Sequence, residues 1–317
     1  MLRHFTGALA KNSRAGIALD GAHAGLARVR RQDDGAPSLA IRLLATDGDW
    51  LDDAAQQADD LELKRTPTSS VLPAGAYQLQ LLEMPNVPRD ELLAAVRWRL
   101  KDLISFPLEE AVVELLEMPP HSNPGAPHTA YAVVTRRAEV MQQIEHMKRA
   151  DLKMDVIDIP ELCVRNISVL LPQDKDGVAF LHFTADGGYL TITRQGVLHL
   201  TRHLDTGRRA LAAAASDEFV LQEMISGIAL ELQRSLDYYE SHYDCRPITQ
   251  IVLGPGADLD ALPPGLARDL GVSVENFAFE DLFNLEEDIP PDVQGSCLLA
   301  VGAALRTDAT ARSVAAS

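Results

Sequence analysis

Residues 178–194 read VAFLHFTADGGYLTITR. Two runs of apolar and β-branched residues flank the turn formers Ala185-Asp186-Gly187-Gly188, a pattern that predicts a β-hairpin. Residues 197–204 add a third strand, so the stretch opens a meander. Beyond it Leu221, Ile225, Ile228, Leu232, Leu236 and Tyr239 recur every three or four residues and predict a long helix over about 216–243. A strand (ITQIVLG), a helix (DLDALPPGLARDLG), a strand (VSVENF) and a closing helix (GSCLLAVGAALR) follow.

The N-terminal half repeats that order. RAGIALDG, AGLARVRR and SLAIRLLAT form a second three-stranded meander, broken at Gly21-Ala22-His23 and at residues 33–37. The acidic stretch DWLDDAAQQADDLEL reads as a surface helix with Asp49 as its cap. AYQLQLLEM is a strand ending at Pro85, and VPRDELLAAVRWRLKDLI is a helix with Leu92, Val96, Leu100 and Leu103 at helical spacing. Strands at 111–116 and 129–135, a helix over RRAEVMQQIEHMKRAD and a strand stopping at Pro160 complete this half. A meander followed by helix–strand alternation, twice over, predicts an α/β protein with two similar halves. The expected division is a first domain over 1–172 with an insertion near 85–150, and a second over 173–295. A closing helix at 296–306 and a tail at 307–317 complete it.

Bulk properties narrow the partners. The 317 residues carry 46 acidic and 29 basic side chains, a formal net charge of −17 that repels phosphate backbones and argues against nucleic acid. Cys163, Cys245 and Cys297 lie far apart without a Cys-x-x-Cys pair, so buried reduced thiols are expected and no metal knuckle. No run approaches the length of a membrane helix and no signal peptide is recognisable, which predicts a cytoplasmic protein that meets a membrane only through a partner.

Four stretches together resemble the actin-like assembly proteins of type IV pili and type II secretion, the PilM and GspL family. They are LLEMPNVPRDELLAAVRWRLKDLISFPLEEAVVEL (81–115), HLTRHLDTGRRAL (199–211), ALELQRSLDYYESHYDCRPITQIVLGPGADLDAL (229–262) and LLAVGAALR (298–306). They stand in the family's order, and within the family the sequence is most similar to the MSHA-pilus branch. The resemblance implies an actin-like (ribonuclease H-like) two-domain fold with an inserted subdomain. It also implies a cytoplasmic adapter that grips the tail of a PilN-like inner-membrane protein and links it to the assembly ATPase.

In that superfold two facing hairpins hold a nucleotide's phosphates through glycine-lined turns and metal-orienting carboxylates. Here the first hairpin reads GIALDGAHAGLARV. Laid from Gly16, the family's Asp falls on Ala18 and its Gly on Asp20; a shift of two restores Asp20 but puts Ala22 where glycine belongs. The second hairpin offers His182-Phe183-Thr184 for Asp-x-Gly, and an imidazole does not replace a carboxylate in ordering metal-bound water. The third element keeps Gly254 and Gly256 around Pro255, which lacks an N–H. Gly16, Asp20, Gly254 and Gly256 are thus candidates for a degenerate nucleotide site, with no metal, no catalytic residue, no ATPase activity and at most weak ATP binding expected. The bland readings are a core histidine at 182 and turn chemistry at Asp20. His199 and His203, four apart on a strand, are not expected to share a metal.

Partner contacts are expected from Leu92, Val96 and Trp98, on the helix beside a groove between the insertion and the main first domain. There an extended tail would add to a sheet edge. Two other readings remain open: an ATPase or kinase-like enzyme of the same superfold, and a self-assembling homo-oligomer.

Overall fold

The structure is a computed structural model and describes residues 12–306 apart from 34, 124, 244, 245 and 258. The expected tail at 307–317 and Cys245 lie outside the described residues.

In the first half, β1 (Ser13–Asp20), β2 (His23–Arg30) and β3 (Ser38–Ala45) form the expected meander, with Asp20 opposite His23 at the first turn. β4 (Thr68–Val71) runs parallel to β1, β8 (Met154–Asp158) parallel to β4, and β14 (Asn284–Leu285) returns late in the chain to pair with β3. The sheet order is β14-β3-β2-β1-β4-β8. Helices α1 (Trp50–Asp60) and α3 (Arg137–Arg149) pack against it around Leu51, Ala54, Ala58 and Met147. Asp49 makes no capping bond to α1 and pairs instead with Arg149.

The insertion is a small layered unit. β5 (Tyr77–Glu83), β6 (Ala111–Glu117) and β7 (Thr129–Arg136) form an antiparallel sheet in the order β5-β7-β6. Helix α2 (Arg89–Leu100) closes one face through Val96 and Leu100 against Val113 and Val134. It ends at Leu100, and Leu103, counted above in its apolar stripe, is exposed.

The second half repeats the plan. β9 (Val178–Phe183), β10 (Gly188–Arg194) and β11 (Val197–Leu204) form the opening hairpin and its third strand. β12 (Gln250–Leu253) and β13 (Ser273–Asn276) continue the sheet in the order β11-β10-β9-β12-β13. Helices α5 (Arg208–Ala214), α6 (Glu218–Tyr243) and α7 (Leu262–Leu270) follow β11 and β12; α6 and α7 bury Ile225, Leu232 and Leu266 against Leu181 and Leu190. Helix α8 (Pro291–Ala304) crosses back, so that Cys297, Ala300 and Val301 share one core with Ala18, Phe180 and Tyr189. A helix apolar on all sides belongs in an interior.

The sequence reading omits β4, β14, α5 and the helix α4 (Pro160–Ser168). β4 reads TSSV, polar yet buried at every position; Ser70 Oγ donates to Gln143 Oε1 at 2.6 Å. Strand position there comes from tertiary pairing rather than from an apolar alternation. Cys163 and Cys297 are buried free thiols, and burial pushes both pKa values up, Cys297 to about 12.

Candidate functional site

The two hairpin turns meet face to face, and their polar groups hold one another. Asp20, at the end of β1, is only 5 % exposed. Its Oδ1 accepts from the Ala185 N–H at 2.6 Å and its Oδ2 from Arg208. Arg208, at the start of α5, also donates to the Phe183 carbonyl and, at 2.9 Å, to Ser296 of α8. The Arg208 and Arg209 N–H groups bond the Thr184 and Ala185 carbonyls at 2.8 and 3.0 Å. A Cβ on Gly207 would sit 2.4 Å from the Asp186 carbonyl carbon, so the second turn lies directly on the chain that follows β11. The acid at 20, where the shifted register puts a metal-orienting group, is the counter-ion of an internal arginine.

His182 is fully buried in β9, and neither ring nitrogen has a hydrogen-bond partner among the described residues. Burial, with Arg208 adding to it, drives its pKa well below the ordinary histidine value, so the ring is neutral. It packs beside Gly254, where a Cβ would approach its Nδ1 to 3.0 Å. The glycine turn is sealed from the other side: a Cβ on Gly295 of α8 would lie 2.5 Å from the Pro255 carbonyl oxygen, and one on Gly256 would lie 2.8 Å from Leu259. Gly16 lies within β1 under α8, and a Cβ there would stand 2.0 Å from the Ala300 carbonyl oxygen. Helix packing by itself demands glycine at that position. Among the described residues no group of three or more acidic, histidine or cysteine side chains could hold a metal. His199 packs edge-on against Tyr239, and His203 edge-on against Tyr189.

A cavity of about 540 Å³ lies between the insertion and the first-half sheet. Val112, Glu114 and Leu116 of β6 and Val133 of β7 form one wall; every residue of β8 contributes to the other. Each of these two edge strands has a ladder partner on one side only among the described residues. Arg306 closes one end in an ion pair with Asp158 at 2.7 Å. Nearby, Tyr77 donates to Glu161 Oε2 at 2.6 Å; burial lifts the Glu161 pKa to about 7 against the lowering effect of that bond.

The expected contact residues fall elsewhere. Val96 is 0 % exposed in the insertion's own core, which removes it from any partner surface. Leu92 is half-buried on the same helix. Trp98 is 71 % exposed, with Lys101 Nζ 5.4 Å from its ring centre. Successive strand residues point to opposite faces, so Val113 and Val134 meet α2 while Val112 and Val133 meet the cavity. Helix α2 and the groove are on opposite sides of one sheet. Sequence reasoning missed the groove residues because strand alternation alone does not say which face a helix covers.

Solved structures share the fold. The chain is similar to a PilM–PilN type IV pilus biogenesis complex, at TM-score 0.71 and 20 % identity over 92 % of this chain and 97 % of that one. It is also similar to the cytoplasmic domain of EpsL, an inner-membrane component of the Vibrio cholerae type II secretion system, at TM-score 0.52 and 13 % identity over 93 % and 96 %. A Bacteroides thetaiotaomicron protein with an actin-like ATPase fold matches at TM-score 0.52 and 10 % identity over 90 % and 96 %. No family model matches the sequence, and no curated protein matches it. The protein has the actin-like fold. Within that fold it carries the inserted three-stranded unit and the interlocked hairpins described above. No helix among the described residues is long and apolar enough to cross a membrane.

Proposed function

We propose that this chain is a non-hydrolysing adapter of the PilM and GspL kind, serving a type IV pilus of the MSHA (MshI) branch or a related type II secretion platform. It works at the cytoplasmic face of the inner membrane, holding the tail of a PilN-like protein and linking it to the assembly ATPase. One observation carries the reading: the cavity bounded by the unpaired edges of β6 and β8. An extended segment laid along either edge continues its ladder, and alternate side chains enter the cavity. The likeness to a PilM–PilN complex supports a PilN-like tail as that segment. The commitment of Asp20 to Arg208, and a neutral imidazole at 182, support adapter over enzyme. The first turn then has no free carboxylate with which to orient a metal-bound water.

The test is titration of a fluorescent peptide carrying the cytoplasmic tail of a PilN-like protein, with Mg-ATP turnover measured in parallel. Val133→Arg, which fills the groove with a bulky side chain, is expected to weaken capture about tenfold or more, a steric obstruction costing over about 1.4 kcal/mol. Trp98→Ala, on the other side of the insertion, is expected to leave it unchanged. Steady phosphate release, or capture indifferent to Val133→Arg, would overturn the proposal.

A further inference from the structure

A second cavity, about 290 Å³, opens between β10–β11 and α6 and shares no residue with the groove. Its buried floor is leucine, Leu190 and Leu232 among it. Its rim sets Arg202 and Arg234 against one carboxylate, Glu231, while the His203 ring turns to the other face of the sheet against Tyr189. In a chain of net charge −17 this is a local reversal of sign. Some arginines hold carboxylates, as in Arg14–Asp155, Arg28–Glu286 and Arg42–Glu287, and others backbone carbonyls, as Arg97 and Arg165 do. Arg202 and Arg234 have no such ion pair among the described residues. Arg202 lies instead over the Tyr238 ring, 5.6 Å from its centre, and Tyr238 stacks on His242 at 3.6 Å. A cation–π contact restrains a guanidinium without using up its N–H donors.

We infer that this cleft binds a small organic phosphate, a monoester with a compact apolar body. Two forked guanidiniums offer two pairs of parallel donors, which the three free oxygens of a phosphate monoester can accept together, whereas one fork already occupies a carboxylate's two. The leucine floor takes the ester's apolar part. The volume stands at the small end of ligand sites, roughly 300–1,000 Å³. An acidic protein or an anionic membrane would meet the repulsive field of the whole chain over a wide area. A single small anion inside the cleft feels mainly the charges within the screening length, about 8 Å at physiological salt.

Phenyl phosphate is the probe, titrated calorimetrically into the intact protein beside inorganic phosphate, benzoate and phenol. Saturable binding of phenyl phosphate is expected, with inorganic phosphate and benzoate weaker and phenol silent. Arg202→Gln and Arg234→Gln, both at exposed positions, are each expected to weaken it about tenfold or more, because a hydrogen bond to a charged group is lost. Their melting temperatures and capture of the membrane-protein tail should stay as in the parent, which separates this site from the groove. Absence of saturation in the millimolar range, or equal binding by parent and both variants, would refute the site. So would phenol binding as tightly as its phosphate.

Discussion

Glu161 shows how burial changes what one side chain contributes. Folding lifts its pKa from 4.5 to about 7, chiefly through desolvation, so the native protein keeps a proton that the unfolded chain releases. With the folded value raised, the stability tied to that proton is fully present below pH 4.5 and is lost as pH rises toward 7. The span corresponds to a loss on the order of 3 kcal/mol. Glu161→Gln can still accept from Tyr77 and has nothing to titrate. Urea midpoints measured from pH 4.5 to 8 should therefore fall with pH in the parent more steeply than in Glu161→Gln. Parallel curves would refute the assignment. His182 acts in the opposite sense: its depressed pKa makes its contribution present above the unfolded value near 6.5 and lost in acid.

Helix α8 is the element on which both halves close. Its contacts are backbone-close on two sides: Gly16 and Gly25 of the first meander on one, and Gly302 against the Cys163 carbonyl at 2.1 Å from a notional Cβ on the other. The obstructing atoms are backbone, so a methyl group cannot be accommodated by a rotamer change. Gly16→Ala should force α8 away from β1 and cost about 1–3 kcal/mol or more by chemical denaturation. Gly35→Ala is a poor control because its φ is +116°, whereas Gly227, inside α6 with open space around it, is a fair one. A Gly16→Ala protein as stable as the parent would show that α8 sits further from the sheet than described.

Across the two halves, the Asp20–Arg208 pair holds the first turn to the second. It joins residues on β1 and α5, with Ser296 of α8 as a third acceptor. Arg208→Ala leaves a buried carboxylate without its counter-ion, a change that costs about 3–5 kcal/mol. Arg208→Lys keeps the charge but not the fork that reaches three acceptors, and should lie between. Differential scanning calorimetry would also report any loss of cooperativity between the halves. An Arg208→Ala variant melting with the parent would show the pair to be incidental. The groove and the phosphate cleft lie on either side of this junction, one lined by the first half and its insertion, the other by the second half.

The order of elements was legible from local pattern. The Asp186-Gly187-Gly188 turn, the three-to-four spacing along 221–239 and the two meanders are properties of neighbouring residues, and they recur in β9–β10, α6 and both sheets. What the fold alone decided depends on residues far apart in the chain. Polar TSSV became a strand because β1 and β8 flank it. Gly16 met a helix nearly three hundred residues on, and Asp20 found its cation 188 positions away. The groove arose because the face of the insertion sheet opposite α2 turns toward the open edge at β8. Local periodicity specifies which face of an element is apolar; it carries no information on what that face, or an unpaired edge, will meet.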